Sequence, residues 1–289
     1  MHSFSYIKAK SVKDAGDLLA QHGEAKLLSG GMTLLPTMKA RLASPSHLID
    51  IAALPELAGI AVEGGTLSIG AATRHVEVSR SAVVKKAIPA LAQLAGEIGD
   101  PQVRNRGTIG GSLANNDPAA DYPSAALALN ATIVTNKRSI KADDYFQGLF
   151  ATALEAGEVI VKVQFPIPAK AAYEKFPHPA SGFAMTGSFV AVNGNNGKDV
   201  RVAITGAGPG VFRWSAAEAA LGKKLDASAV EALNVDASNL NEDMHGTKEY
   251  RANLAKVMTK RAVAKLGAAA SKPASKPASK PVKKPAGKK

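Results

Sequence analysis

The chain has 289 residues, 46% of them hydrophobic and 21% charged, which is typical of a globular protein with a sizeable core. It has no cysteine, which excludes disulfides, thiolate nucleophiles and any iron–sulfur cluster held by its own thiolates. The segment 267–289 contains seven lysines and no acidic residue, so it carries +7 of the formal net charge of +12. The net charge therefore gives little support to nucleic-acid binding by residues 1–266.

The N-terminal quarter alternates short strands with amphipathic helices. Residues 4–7 predict a strand, and residues 11–22 predict a helix that has Ser11 as its N-cap. A strand at 25–28 and a helix at 33–41 follow. The start of the chain lacks the basic and apolar regions of a signal peptide, and no apolar run is long enough to cross a bilayer. We therefore expect a soluble, cytoplasmic protein.

The middle of the chain mixes a hairpin with helices and one irregular segment. Residues 60–69 predict a hairpin that turns at Gly64-Gly65. Helices are expected from residue 76 and over 87–98, and the segment 99–124 is rich in Gly, Asn, Asp and Pro. Strands are expected at 132–135 and 159–165. The run Pro166-Ile167-Pro168 is the candidate domain boundary.

Beyond that boundary the pattern predicts antiparallel strands at 183–192 and 200–205, and helices at 215–221 and 250–266. The repeated Ser-Lys-Pro-Ala of residues 267–289 has almost nothing to bury, so this tail is expected to be disordered.

Two glycine loops are the candidate binding elements. The first, Ser29-Gly30-Gly31-Met32-Thr33, leads from a strand into a helix, where free N–H groups favour an anion such as a diphosphate. The second, Thr108-Ile109-Gly110-Gly111-Ser112, offers another run of backbone donors and two hydroxyl groups. A tight turn and a solvated loop are the structural alternatives. Neither loop matches the Walker pattern or the G-x-G-x-x-G fingerprint, which disfavours P-loop and Rossmann proteins.

These loops carry a resemblance to a known family. The run 29–39 and the run 104–114, with Pro118 and Asp121 after it, resemble the two FAD loops of the medium, FAD-binding subunits of molybdenum hydroxylases. The family includes the carbon monoxide dehydrogenase flavoprotein and the xanthine dehydrogenase FAD domain. The segment from Lys175-Phe176 to Phe183-Ala184 is similar to the start of that family's C-terminal domain.

The resemblance implies a set of cofactor contacts. Ser29 to Thr33 and Thr108 to Ser112 would wrap the diphosphate of a non-covalent FAD. Asp121 would reach the ribityl or flavin region, Lys175 would approach the isoalloxazine, and Ile160 would pack near the ring. Without the resemblance, a solvated lysine is an equally good interpretation of Lys175. No catalytic acid–base set and no metal site are expected.

The implied fold is α+β, in which a two-subdomain FAD-binding domain (1–170) precedes a small domain (171–266) whose three-stranded antiparallel sheet packs on helices.

The implied function is electron transfer from iron–sulfur clusters on a small subunit, beside a large molybdenum-cofactor subunit, to an external acceptor. A dimer of heterotrimers is the expected assembly, without specific nucleic acid. The alternatives are a self-contained FAD oxidoreductase and a binding protein that uses the basic tail on a membrane or polyanion. Neither the hydroxylase substrate nor the acceptor follows from the sequence.

Overall fold

The structure, a computed structural model, describes residues 1–194 and 198–270. The expected disordered tail falls almost entirely on residues 271–289, which lie outside the described residues. Within the described residues, no helix combines the length and the apolar character needed to cross a membrane.

The first subdomain is a small parallel sheet with two helices. Its elements are β1 (Ser5–Lys8), α1 (Val12–Gln21), β2 (Lys26–Leu28), α2 (Leu34–Lys39) and β3 (His47–Asp50). The strand order is β1-β3-β2, and both pairs are parallel. Ser11 caps α1 as predicted, because its side chain accepts the N–H of Asp14.

The second subdomain is built on a five-stranded antiparallel sheet of order β4-β5-β10-β6-β7. Its early elements are a 3₁₀ turn (Pro55–Leu57), β4 (Ile60–Glu63), β5 (Thr66–Gly70), α3 (His75–Arg80), α4 (Ala82–Ala87), α5 (Pro89–Gly96), α6 (Pro101–Arg106), α7 (Ile109–Asn115) and α8 (Tyr122–Ala128). Its later elements are β6 (Thr132–Thr135), β7 (Ser139–Lys141), α9 (Ala142–Tyr145), β8 (Phe146–Gly148), β9 (Ala151–Thr152) and β10 (Ile160–Pro166). The hairpin β4–β5 turns at Gly64 and Gly65, both with positive φ, as predicted.

The C-terminal part contains one antiparallel sheet and helices that cover it. Its elements are β11 (Lys170–Pro177), β12 (Ala184–Asn193), β13 (Asp199–Thr205), β14 (Phe212–Arg213), α10 (Ser215–Lys223), a 3₁₀ turn (Ala227–Val230) and α11 (Lys248–Ala270). The sheet order is β11-β12-β13-β14. The predicted fold class is confirmed, with one correction: the sheet has four strands rather than three. The added β14 has only two residues, too few to produce an alternating pattern in the sequence.

Strand β12 is buried on both faces, since α11 packs on one side and α8 of the preceding part also contacts it. One large apolar core fills the first two subdomains and includes Tyr173 and Phe189 of the C-terminal sheet. A second core lies between that sheet and α10 and α11. The C-terminal sheet is therefore packed against the part of the chain that carries both glycine loops.

Candidate functional site

The two glycine loops meet where the two N-terminal subdomains touch. Ser29 Oγ lies 3.3 Å from Thr108 Oγ1, although the two residues are far apart in sequence. Gly30 packs closely on the residues that precede the second loop, and a Cβ on Gly30 would lie 2.2 Å from the carbonyl oxygen of Arg106. Only glycine fits this contact, so Gly30 sets the distance between the loops.

The first loop presents open backbone donors. Gly31 has φ +73, a conformation that favours glycine and turns the chain toward α2. Among the described residues, the N–H groups of Gly30, Gly31, Met32 and Thr33 have no protein acceptor. Consecutive unsatisfied amides of this kind form a concave site for an anion, and a diphosphate fits that chemistry.

The second loop is different, and the expected run of free donors is wrong. Its amides are used inside the protein, through Ile109 N–H to Thr73 O (3.1 Å), Gly110 N–H to Ala71 O (2.9 Å), Gly111 N–H to Thr108 Oγ1 (3.2 Å) and Ser112 N–H to Thr108 O (3.0 Å). Ile109 is fully buried in the core. This loop is therefore a scaffold that fixes Thr108 opposite Ser29, rather than a second open ring of amides.

A cleft of about 560 Å³ opens at this junction. Ser29, Gly30 and Thr108 line it, as do Asn105 and Arg106 of the run 104–114. Three further polar or charged lining residues were not predicted from the sequence: Thr73, Arg74 and Glu77. Thr73 Oγ1 is buried without a hydrogen-bond partner in the described structure. An unpaired hydroxyl at a cleft that is also lined by Gly30, with its open amide, and by two arginines fits a ligand with phosphate oxygens, so the residues present fit FAD. No local pattern singles out Thr73, since its role depends on the distant pairing with residue 109.

A buried ion pair lies at the border with the C-terminal sheet. Lys175 Nζ is 3.0 Å from Asp121 Oδ1, and the two side chains are only 4% and 1% exposed. Tyr173 donates its hydroxyl to the same Asp121 oxygen at 2.6 Å. Burial raises the pKa of Asp121, and the charge of Lys175 with the Tyr173 hydrogen bond acts against that rise. The interpretation of Lys175 as a solvated lysine is therefore wrong.

Lys175 also donates to the carbonyl oxygens of Glu97 (2.7 Å) and Gly182 (3.0 Å). Its three ammonium hydrogens thus have three protein acceptors, and a contact to a flavin would replace one of them. Ile160 is a buried core residue at the start of β10. Of the predicted cofactor contacts, only Ser29, Gly30 and Thr108 line the cleft. The others do not: Gly31, Met32, Thr33, residues 109–112, Asp121, Ile160 and Lys175.

His75 supports the second loop from the core side. Its backbone N–H donates to Gly107 O at 3.0 Å, and its ring is so close that a Cβ on Gly107 would lie 2.6 Å from Nε2. The ring is also 5.4 Å from that of Tyr122. Burial, with the nearby charge of Arg104, lowers the pKa of His75 to about 4. The imidazole of His75 is therefore neutral, and it lies against Gly107, just before the second loop.

Comparison with known proteins assigns both parts of the chain. Residues 2–168 match the family described as the FAD binding domain in molybdopterin dehydrogenase. Residues 171–266 match the CO dehydrogenase flavoprotein C-terminal domain. The first match covers more than half of the chain, and it confirms the resemblance that the two loops carry.

Individual relatives agree with this assignment. The carbon monoxide dehydrogenase medium chain of Hydrogenophaga pseudoflava is 40% identical over 90% of this chain and 96% of its own. The xanthine dehydrogenase FAD-binding subunit of Escherichia coli O157:H7 is 30% identical over 92% and 97%. A solved carbon monoxide dehydrogenase from Oligotropha carboxidovorans superposes with a TM-score of 0.85 at 33% identity, covering 92% of this chain and 98% of that one. The chain therefore belongs to the FAD-binding medium subunits of molybdenum hydroxylases, a family of oxidoreductase subunits with FAD as cofactor.

Proposed function

We propose that this chain takes electrons from iron–sulfur clusters on a partner chain and passes them to an external acceptor. The observation that carries the proposal is the meeting of the two glycine loops at one cleft, which is lined by Gly30 with its open amide, by Thr73 with its unpaired hydroxyl and by two arginines. A bound FAD supplies the chemistry, since it can accept and release electrons singly or in pairs. The absence of cysteine supports placing thiolate-held clusters on another chain.

The residues of this chain bind and orient the cofactor in this proposal. The amides of 29–33 and the hydroxyl of Thr108 hold the diphosphate, while residues 109–112 act as the scaffold behind Thr108. Asp121 and Lys175 lie toward the ribityl and flavin end, where a cation favours the negatively charged reduced form by Coulomb attraction. Ile160 contributes to the apolar packing behind the ring. No side chain of this chain is required as an acid or base.

The partners in this proposal are an iron–sulfur small subunit and a molybdenum-cofactor large subunit, assembled as a dimer of heterotrimers. Relatives named as medium chains of carbon monoxide dehydrogenase and as the medium subunit of nicotine 6-hydroxylase support a multi-subunit complex. We assign residues 1–170 to cofactor binding and 171–266 to the C-terminal domain that packs against it.

The test is electron transfer between separately prepared components. The FAD-loaded chain is mixed anaerobically with its reduced iron–sulfur partner, and the flavin absorbance near its visible maximum is followed. Bleaching of the flavin with matching reoxidation of the clusters is expected. If an organic substrate bleaches the flavin without any partner, the chain is instead a self-contained FAD oxidoreductase.

A further inference from the structure

The helix that follows the first glycine loop ends in a strained turn. At the end of α2, Arg41 N–H donates to Met38 O at 3.1 Å. Leu42 N–H donates to Thr37 O at 3.0 Å, which completes a Schellman motif. Arg41 has φ +61 at the position that is usually glycine in this motif. A residue with a Cβ is strained there, and strain of this kind is concentrated at functional positions.

This turn presents an apolar side chain to solvent. The residue after the glycine position of a Schellman motif commonly packs back on the last turn of the helix. Leu42 occupies that position and is nevertheless 81% exposed. Pro36 and Ala40, four residues apart and so on one face of the helix, are also exposed, whereas Met38 on the opposite face is buried. The outer side of α2 therefore combines exposed apolar groups with a turn that holds Leu42 outward.

The same side of the helix is basic. Lys39 and Arg41 are both exposed, and neither forms an ion pair with any residue that the structure describes. The segment 25–49 has no acidic residue, and Lys26 is its third cation. A surface complementary to this one is therefore acidic around an apolar pocket.

We propose that the α2 surface, made of Pro36, Lys39, Ala40, Arg41 and Leu42, docks the iron–sulfur partner chain. Leu42 inserts into an apolar pocket of that chain, and the two cations pair with acidic side chains at the rim of the pocket. A second copy of this chain fits less well, because a symmetric contact would bring the cations of both copies together.

The position of the α2 surface selects this partner. α2 follows directly after the open amides of residues 30–33. Its six residues span about 9 Å, so a chain docked at its end lies close to the diphosphate site. Electron transfer between two chains requires such proximity. This inference rests on the proposed function, in which reduced clusters on a partner donate electrons to the bound FAD.

The test is titration calorimetry of the full, FAD-loaded chain with the purified iron–sulfur partner chain. Leu42→Ala and Lys39→Glu should each raise the dissociation constant about tenfold, through loss of the apolar contact or of one ion pair. Added salt should weaken binding of the parent chain more than binding of Lys39→Glu. Val83→Ala and Lys86→Glu are the matched controls, since these residues form an exposed apolar and basic pair on α4, and they should bind as the parent chain does.

Arg41→Gly separates docking from folding. Glycine adopts φ +61 without strain, so the urea midpoint of this variant should rise above that of the parent chain. Loss of the cation should nevertheless raise the dissociation constant for the iron–sulfur chain. A rise in the urea midpoint with unchanged partner affinity would show that Arg41 has no part in docking.

Variants of the α2 surface that bind the iron–sulfur chain as tightly as the parent chain would overturn the docking assignment and leave the proposed function standing. Failure of the parent chain itself to bind would contradict the proposed function as well. Light scattering and phosphatidylglycerol vesicles test the other occupants. If Leu42→Ala turned a dimer into a monomer, or Lys39→Glu abolished vesicle binding, with partner affinity unchanged in either case, the choice of partner would be wrong.

Discussion

Gly30 packs so closely on the backbone before the second loop that it leaves no room for a methyl group, since a Cβ there would lie 2.2 Å from the carbonyl oxygen of Arg106. Gly30→Ala should therefore push the first loop away from Arg106 O, lowering the free energy of unfolding by about 1–3 kcal/mol. It should also weaken FAD binding, because the open amides move relative to Thr108. Urea unfolding and FAD titration by fluorescence measure the two effects.

Gly23→Ala is the matched control for that substitution, since a Cβ there meets nothing within 4 Å. It should change the free energy of unfolding by less than about 0.5 kcal/mol and leave FAD affinity as it is. If the two substitutions had equal effects, the close contact between Gly30 and the carbonyl oxygen of Arg106 would not be the cause of the loss.

His75 should make the stability of the chain depend on pH. Its pKa is about 4 in the folded chain and near 6.5 when exposed, so between these values the unfolded chain binds more protons. The free energy of unfolding should then fall as the pH falls from 6.5 to 4, by up to about 3 kcal/mol from this group. His75→Phe should flatten that fall, measured by urea unfolding at a series of pH values. His2→Gln, at an exposed residue, should leave the slope unchanged.

Among the elements, the buried pair of Asp121 and Lys175 joins the start of α8 to β11 and to the end of α5. Lys175→Met leaves a buried carboxyl group without its cation and should lower the free energy of unfolding by about 3–5 kcal/mol. Adding Asp121→Asn should recover part of that loss, since the amide oxygen can still accept from Tyr173. Urea unfolding of the two single variants and the double variant measures the coupling. Additive losses would mean that the two side chains do not interact.

Elements that depend on local chemistry could be predicted from the sequence. The N-cap at Ser11 and the Gly64-Gly65 hairpin need only neighbouring residues, and both are present. Strand β14 could not be found, because its two residues become a strand only through pairing with β13. The same limit applies to the second loop, whose amides pair with Ala71 and Thr73.

Features of the candidate site that depend on the backbone of one loop could be predicted from the sequence. Features that depend on contacts between distant segments could not. The open amides of 30–33 follow from a strand–glycine–helix pattern. The unpaired hydroxyl of Thr73 and the donor at Tyr173 carry no local signal. Both become visible only when Thr73 pairs with Ile109 and Tyr173 reaches Asp121 at the start of α8.

For the whole molecule, the arrangement explains how one chain brings its cofactor-binding loops together from distant parts of the sequence. The first two subdomains bring the loops together, and the C-terminal sheet packs against them and shares their core. The cofactor cleft therefore depends on the packing of the two N-terminal subdomains, where Ser29 and Thr108 meet.

FAD binding by this chain is tested most directly by the absorbance spectrum of the chain, purified alone and again after co-expression with its proposed partner subunits, with acid release of any cofactor. We expect releasable FAD, at about one molecule per chain, that is retained when iron–sulfur partners are bound. Flavin absent from both preparations would contradict FAD binding by this chain.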